Sequence, residues 1–432
     1  MNMQVHLQSQ VNISRGGTIR RRDMLRAIAA GGIATAGLSF HDRMLLEAAE
    51  LRRRGMSCIL LWMQGGPSQF DTFSPASGDT GGGVKPISTS VSGIEIAENL
   101  PETAKLMDDI CVIRSMTGKE GSHPRATFLM HTGYIPNASV KYPSFGSVAA
   151  QQIGNTDTDL PSFVRVGNRG RGGTGAGFLG VDYAPFAINT ARTAPSNTKP
   201  TTSDTRYERR LDFLDELEVD FSEHGGQDIV AHHRKLYGKA SKMILSPQME
   251  AFDIAREPRE MREAYGNGEF AAGCLLARRL VEAGVTFVEV GLGNWDTHQD
   301  NNDRSKQLCN RLDQPYAQLL KDLKQRGMLE KTLVIWMGEF GRTPRINPRA
   351  GRDHYPRAFT VALAGGGVRG GQVIGKTDRS GGTVTDRPVE AADLFRTFCQ
   401  SLHIDADHEN MSGIGRPIPI VEGGSVVKEV FA

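Results

Sequence analysis

Two carboxylates and two histidines in the stretch from Trp295 to His354 lie close to predicted strand ends. Asp296 and His298 follow one apolar run, Glu339 follows the next, and His354 lies in the loop after it. Ionised carboxylates and neutral imidazoles are ligands that zinc and similar divalent ions accept. Such groups are seldom placed at strand ends for packing, because burying them unpaired costs free energy. The stretch therefore predicts a divalent metal site and, with it, a metal-dependent hydrolase.

Each motif in this stretch also has an alternative interpretation. Asp296 and His298 are two positions apart and share one face of an extended chain, but alone the pair fits a solvated turn equally well. Arg342 follows Glu339 closely and can bind a sulfate, phosphate or carboxylate group in bidentate fashion, or simply form a loop-ordering ion pair with Glu339. His354 alone is typical of a surface or capping residue, and its neighbour Asp353 is a candidate partner that orients the imidazole.

Two upstream positions are further candidates. Asp71 lies a few residues past the first apolar run, where it can be a metal ligand or the N-cap of a helix. Ser122 and His123 begin an apparent helix whose N-terminus favours a bound anion. His123 can therefore be a proton donor, a nucleophile or a ligand. The alternative is a structural histidine whose ring nitrogens are satisfied by backbone groups.

Short apolar runs alternate with helical patterns along the chain. A run that ends in glycine, proline or polar residues is typical of a buried parallel strand. The alternation predicts a doubly wound parallel sheet, in which ligands bind beyond the carboxyl ends of the strands. Residues 64–71, 295–298 and 339–342 all fall there. The predicted strands are 57–63, 110–113, 286–290, 332–337 and 359–364, and the predicted helices are about 269–284, about 307–326 and 391–398.

The segment at about 167–205 is rich in Gly, Thr, Ser and Pro and predicts an inserted loop or cap. Its glycine-rich start, 167–175, can cradle an anion, but a mobile surface loop is favoured because no strand and helix flank it in a phosphate-loop pattern. The hypothesis of a nucleotide-dependent enzyme would rest on such glycine runs alone.

Charge and cysteine content narrow the classes of partner. The 432-residue chain has a net charge of +2, and residues 1–36 carry five Arg and one Asp, so the remainder has a net charge of −2. A nearly neutral body gives no electrostatic reason to expect nucleic acid as a partner. The five cysteines are odd in number and show no CxxC spacing, which argues against a disulfide framework.

The N-terminus predicts an export signal. Residues 21–26, Arg-Arg-Asp-Met-Leu-Arg, resemble the twin-arginine motif, and an apolar Ala/Gly-rich stretch too short to span a bilayer follows. Ala34-Thr35-Ala36 offers a small-x-small cleavage site. We expect residues 1–36 to be a signal segment read by the twin-arginine translocase, and the protein to be exported to the periplasm or the extracellular space. The alternative is a basic amphipathic helix on the folded domain.

Several of these motifs together resemble the bacterial "domain of unknown function 1501" family over roughly residues 18–420. That family is similar to the alkaline phosphatase and sulfatase superfamily. The resemblance implies an alkaline phosphatase-like α/β fold over residues 50–425: a three-layer α/β/α sandwich with a mostly parallel central sheet and a metal centre at the strand ends. The matching motifs are Gly65-Gly66-Pro67-Ser68-Gln69-Phe70-Asp71, Ser122-His123, Trp295-Asp296-Thr297-His298, Gly338-Glu339-Phe340-Gly341-Arg342 and Gly351-Arg352-Asp353-His354.

The resemblance also assigns roles. The superfamily's nucleophile opens a helix, which matches Ser122-His123, and its later ligands match Asp296, His298 and His354. Two usual ligand positions are occupied by Gln64 and Phe340 here, so one metal is expected rather than two. Zinc is the first choice, with manganese or calcium as alternatives. No Cys-x-Pro-x-Arg sulfatase signature occurs near residue 122.

The sequence thus predicts an exported metal-dependent hydrolase of phosphate or sulfate esters, with an anionic small molecule or polysaccharide ester as substrate. Its alternative is a catalytically inactive module that binds an anionic polysaccharide or an envelope partner protein, which the changes at Gln64 and Phe340 favour. The predicted metal ligands are Asp71, Asp296, His298, Glu339 and His354; the catalytic residues are His123, Ser122 and Arg342; the substrate-binding residues are Arg125 and Arg352.

Overall fold

The computed structural model describes residues 55–432, apart from Ser77, residues 168–174, Asn197, Lys199 and Pro200. The predicted twin-arginine segment, residues 1–36, lies outside the described residues, as does most of the glycine-rich run that begins at Gly167. Within the described ranges, every helix is too short or too polar to span a membrane.

Sixteen strands form in the described part of the chain. They are β1 Ser57–Met63, β2 Pro86–Ser88, β3 Glu95–Ala97, β4 Ile110–Met116, β5 Phe163–Val166, β6 Phe186–Ile188, β7 Phe287–Leu292, β8 Thr332–Met337, β9 Gly341–Arg342, β10 His354–Tyr355, β11 Phe359–Ala364, β12 Gln372–Ile374, β13 Lys376–Thr377, β14 Val384–Asp386, β15 Glu409–Met411 and β16 Pro417–Pro419. Eight of them make the central sheet, in the order β12-β4-β11-β8-β1-β7-β5-β6.

The central sheet is mostly parallel, as predicted. β1 lies between β7 and β8 and is parallel to both. β11 is the exception, because it runs antiparallel to β4 and to β8. All seven residues of β1 are buried, as are all six of β8 and of β11, so an uninterrupted apolar run was a sound signal for these strands.

Nine α-helices accompany the strands in the described residues. They are α1 Pro101–Ala104, α2 His123–Thr132, α3 Phe145–Ile153, α4 Asp204–Phe221, α5 Gln227–Leu245, α6 Arg259–Tyr265, α7 Glu269–Glu282, α8 Asn301–Gln325 and α9 Ala391–Ser401. The helix predicted to begin at about 307 thus begins six residues earlier, with a buried Asn301 in its first turn.

The helices cover both faces of the sheet. On one face, Ile59, Val288 and Trp336 belong to an apolar core that includes residues of α7 and α8. On the other face, the alternate residues Leu60 and Phe287 surround a small gap together with side chains from α2, α3 and α9. Successive side chains of a strand point to opposite faces, so the helices form two outer layers. The predicted three-layer α/β/α sandwich is confirmed.

The segment predicted as an inserted loop is only partly irregular. Its described residues include β6, which adds a parallel strand next to β5 at the edge of the central sheet. The helices α4 and α5 that follow form an antiparallel hairpin, in which Tyr207 Oη lies 3.2 Å from Ser241 Oγ. The segment therefore both extends the sheet and leads into this hairpin.

Candidate functional site

The loops that leave β1, β7 and β8 meet at one edge of the sheet. The backbone N–H of Trp295, just past β7, donates to the carbonyl of Gln64, just past β1. The backbone N–H of Gly65 donates to Glu339 Oε1 over 2.9 Å, which links the β1 loop to the β8 loop. Since neighbouring parallel strands end at the same edge of a sheet, the predicted motifs converge here.

Three potential ligand atoms lie unusually close together at this edge. His298 Nε2 is 3.1 Å and His354 Nε2 is 3.2 Å from Asp296 Oδ1. The two Nε2 atoms are 2.9 Å apart. Three of the five predicted metal ligands are thus brought to one point, although they come from two different loops.

The Nδ1 atoms of both imidazoles already have hydrogen-bond partners. His354 Nδ1 lies 2.8 Å from the carbonyl oxygen of Gly121, and His298 Nδ1 lies 2.9 Å from Asp353 Oδ1. Carbonyl and carboxylate oxygens only accept, so each Nδ1 carries the proton and each neutral ring has its lone pair on Nε2. Two facing lone pairs repel, so the arrangement calls for a positive charge between them, either a shared proton or a metal ion.

His123, the first residue of α2, completes the cluster. Its Nδ1 is 2.7 Å from Glu339 Oε1 and its Nε2 is 3.4 Å from Asp296 Oδ2. Its ring packs against those of Phe340 and His354. The ligand-type atoms of His123, Asp296 and His354 lie within 4.8 Å of one another, a looser set than the trio that includes His298.

The charges in the cluster strongly shift the pKa values of His123 and Asp296. Hydrogen bonds to Asp296 and to Glu339 raise the pKa of His123 to about 9. Burial alone would raise the pKa of Asp296, but His123, His354 and Arg342 outweigh it and hold that pKa well below its usual range. Asp296 is therefore the negative centre around which the cationic and imidazole groups are arranged.

Glu339 orients the cluster rather than joining the close trio. Its side chain is fully buried, and its Oε1 accepts from both Gly65 and His123. Its Oε2 has no hydrogen-bond partner among the described residues. In this position Glu339 fixes the tautomer and direction of His123, and its role as a metal ligand stays a prediction.

Arg342, predicted to stabilise a substrate anion, is buried and bonded to Asp296 and to the backbone of the site loops. Its side chain is fully buried, and one Nη2 donates to Asp296 Oδ1 over 2.7 Å. The same Nη2 also contacts the backbone carbonyls of Gly65 and Trp295, while Nε donates to Gly66 and Nη1 donates to Arg352. Five acceptors thus surround the buried guanidinium, and Arg342 holds these loops together.

Arg352 and Asp71 also lie away from the cluster. Arg352 is fully buried over the ring of Phe70 and donates to the carbonyls of Thr343, Pro344 and Thr80. Asp71 is buried in a short 3-10 turn, where its Oδ2 accepts from the Asn301 amide over 2.8 Å. Burial raises the pKa of Asp71, partly offset by Ser68 and Asn301. Both residues are bonded to the loops of the site, and the predicted roles of Asp71 as a metal ligand and of Arg352 in substrate binding stay predictions.

The two remaining candidates lie on the surface at the start of α2. Ser122 occupies the N-cap position, but its side chain makes no capping hydrogen bond. Arg125 is paired with Glu120 through two hydrogen bonds of 2.7 and 2.8 Å. Of the residues predicted in this helix, His123 is the one that the structure brings to the cluster.

The glycine at position 351 was not predicted to matter for the site. A Cβ at Gly351 would lie 2.0 Å from the backbone carbon and oxygen of His298, far inside normal contact. The signal in the sequence is only a glycine beside a predicted ligand, which does not reveal such a close approach of two loops.

Substituting Gly351→Ala is expected to displace His298 and to weaken metal binding by about tenfold or more, as for other changes that misplace a ligand. The affinity is measured by competition between the protein and a zinc indicator. Gly118→Ala is the matched control, because the nearest atom to its Cβ would be 3.8 Å away. Equal affinities in the two variants would contradict the close approach.

Comparisons with solved structures find distant likenesses in fold. Ps i-CgsB, solved in complex with k-i-k-neocarrahexaose, is 13% identical with a TM-score of 0.43, over 81% of this chain and 72% of that one. The PsFucS1 sulfatase from Pseudoalteromonas sp. is 13% identical with a TM-score of 0.40, over 84% and 72%. A protein of the alkaline phosphatase superfamily from Vibrio parahaemolyticus is 12% identical with a TM-score of 0.37, over 86% and 77%. Such scores are too low to transfer residue roles.

No curated protein sequence matches this chain. A family model, in contrast, matches residues 56–431, which is nearly the whole of the part that the structure describes. The match includes all five motifs on which the resemblance rested. The chain belongs to the DUF1501 family, a family of proteins of unknown function.

Proposed function

We propose that this protein is a metal-dependent hydrolase of phosphate or sulfate esters. The observation that carries the proposal is the convergence of His298 Nε2, His354 Nε2 and Asp296 Oδ1, with separations of 2.9 to 3.2 Å. Both imidazoles direct an unprotonated nitrogen at the same point and are fixed from behind by Asp353 and the Gly121 carbonyl. This is the arrangement of imidazole ligands backed by hydrogen-bond acceptors that catalytic metal sites use.

The residues of the trio fit a zinc ion. Zn–N and Zn–O bonds of about 2.0–2.2 Å place tetrahedral ligands roughly 3.3–3.5 Å apart, slightly more than the separations in the trio. Two histidines and one carboxylate leave a coordination position open, as catalytic zinc sites do, and manganese or calcium remain alternatives. When bound, such an ion supplies Lewis-acid polarisation of the ester and activation of water.

His123 is the proposed catalytic residue. Its Nδ1 is held by Glu339, and its buried Nε2 lies 3.4 Å from Asp296 Oδ2. From there the protonated Nε2 can donate its proton to the leaving oxygen of the ester; after losing that proton to a base it can instead attack the phosphorus or sulfur and expel the ester oxygen. Its position at the first residue of α2 adds the N–H groups of a helix start, which favour an anionic substrate.

We propose that the body of the substrate lies in a cavity lined in part by the loop after β7, the loop that also carries Asp296. A cavity of about 250 Å³ lies beyond the ends of β5 and β7, and Gly167, Gly291, Asn294 and Arg311 are among its lining residues. Arg311 is exposed and has no ion-pair partner among the described residues. We propose that Arg311, rather than Arg342 or Arg352, contacts an anionic group of the small molecule or polysaccharide ester.

Metal analysis of untagged protein and hydrolysis of aryl esters test this proposal. We expect about one divalent ion per chain, and turnover of p-nitrophenyl phosphate or sulfate that is lost with a chelator and restored by zinc, manganese or calcium. Protein that binds none of these ions, and hydrolyses neither ester in their presence, would contradict it.

The alternative function is a module that binds an anionic polysaccharide or an envelope partner without turnover. The observation that favours it is the burial of Arg342 and Arg352, the two arginines predicted to stabilise the substrate anion. Retained binding of a sulfated polysaccharide by His123→Ala and His298→Ala, with no turnover by the parent protein, would support this alternative.

Export through the twin-arginine translocase is part of the proposal. The motif at residues 21–26 is its basis. We expect that replacing Arg21 and Arg22 together by Lys keeps the protein in the cytoplasm, because the translocase reads the arginine pair. Cell fractionation of the parent and the variant measures this, and equal export of both would contradict it.

A further inference from the structure

The hairpin of α4 and α5 exposes a row of large apolar side chains. Phe213, Leu217, Phe221, Ile229 and Leu236 are each between 48% and 66% exposed. Scattered apolar residues on a surface need no explanation, but a contiguous patch of this size commonly marks an interaction site.

The register of the hairpin shows that the five residues form one patch. Arg234 Nε lies 2.9 Å from Asp215 Oδ1, and His233 pairs with Glu218. These contacts place Phe213 level with Leu236, and Phe221 level with Ile229. With 3.6 residues per turn, the exposed apolar positions of the two antiparallel helices then lie on the same side of the hairpin.

The patch is nearly symmetric about its centre. Phe213, Leu217 and Phe221 repeat every four residues, with an aromatic ring on either side of the leucine. Rows of this spacing pack into the same row of a second helix at an interaxial angle of about −50°. A two-fold axis through Leu217 would place Phe213 of one copy against Phe221 of the other, and Leu236 against Ile229. The patch is therefore self-complementary, as an isologous interface requires.

The area of the patch is sufficient for a dimer. Large side chains of about 150–250 Å² each, roughly half exposed, give on the order of 500 Å² of apolar surface per copy. Two copies would together bury on the order of 1,000 Å², which reaches the minimum of about 1,000 Å² for a specific interface before the polar rim is added.

We propose that two copies of this chain associate through the patch on α4 and α5, with Leu217 on the two-fold axis. The partner is a second copy rather than a different protein, because the pattern of Phe213, Leu217 and Phe221 matches itself when reversed. This interface is independent of the chemistry proposed for the His–Asp cluster.

Light scattering during size-exclusion chromatography of the full chain tests the association. The parent is expected at twice its 47.0 kDa mass. Leu217→Asp is expected at the monomer mass, because it puts two carboxylates face to face on the axis. Val219→Asp is the matched control, since Val219 is 47% exposed on the opposite side of the same helix. A parent protein that elutes as a monomer overturns the proposal, and this is expected if another part of the chain covers the patch. A Leu217→Asp variant that remains a dimer also overturns it.

Cross-linking tests the position of the axis. All five native cysteines are buried, so a new surface cysteine reacts alone. Under copper phenanthroline, which takes up the two electrons released when two thiols join, Leu217→Cys is expected to form a covalent dimer on a non-reducing gel. Val219→Cys should remain monomeric on the same gel. Equal cross-linking of the two variants contradicts the two-fold arrangement.

Discussion

Replacing Asp296 with Asn is expected to abolish the proposed metal binding and the proposed ester hydrolysis. Asp296 Oδ1 accepts from Arg342 and lies 3.1 and 3.2 Å from the Nε2 atoms of His298 and His354. An amide of the same shape keeps the volume but loses the charge that offsets a divalent ion. Changes in partners that only orient a ligand cost about 10–100-fold in metal affinity, so loss of a ligand itself should exceed about 100-fold. Metal content after dialysis and the zinc dissociation constant measure the effect.

His123→Ala separates metal binding from catalysis. If His123 is the catalytic residue, this variant retains the metal while turnover falls by about 10²–10⁴-fold, the usual contribution of a general acid or base. Asp353→Asn, which weakens only the contact behind His298, should show an intermediate loss of affinity. If Asp296→Asn binds zinc as tightly as the parent, Asp296 is not a metal ligand and the close trio is not the metal site.

Strand positions were well predicted because their physical signal is local. β1, β8 and β11 are buried along their whole length, and a short uninterrupted apolar run is the direct consequence. The antiparallel direction of β11 has a different cause. Parallel neighbours need a long crossover, usually with a helix, and residues 338–358 between β8 and β11 contain no helix. The lack of helical periodicity in that segment was the available signal.

The convergence of Asp296, His298 and His354 was also predictable, since their residue types restrict the chemistry and the strand order places them at one edge. The roles of the arginines could not be predicted in this way. A sequence identifies Arg342 as a guanidinium but does not reveal how many backbone carbonyls surround it. The sequence likewise does not reveal the surroundings of Glu289, a buried carboxylate in β7. Burial would raise its pKa, but the opposing charges of Arg165 and His131 lower it to about 2.

Replacing Arg342 with Ala is expected to destabilise the fold as well as the site. Its buried guanidinium donates to four backbone carbonyls and to Asp296. Removing it leaves these acceptors unsatisfied in a region that water reaches poorly, at an expected total of about 3–5 kcal/mol. The midpoint of urea unfolding, measured with a chelator present so that bound metal adds nothing to the stability of the folded state, should fall clearly below that of the parent.

Two control variants identify the cause of this loss. Arg125→Ala removes an exposed arginine that pairs only with Glu120, and should leave the midpoint unchanged, because exposed ion pairs contribute little. Arg342→Lys keeps a positive charge near Asp296, but a single ammonium cannot span the carbonyls of the β1 and β7 loops. If geometry dominates, the lysine variant loses most of the stability that the alanine variant loses. A lysine variant as stable as the parent would mean that the charge beside Asp296 matters, and that the carbonyl contacts of Arg342 contribute little to stability.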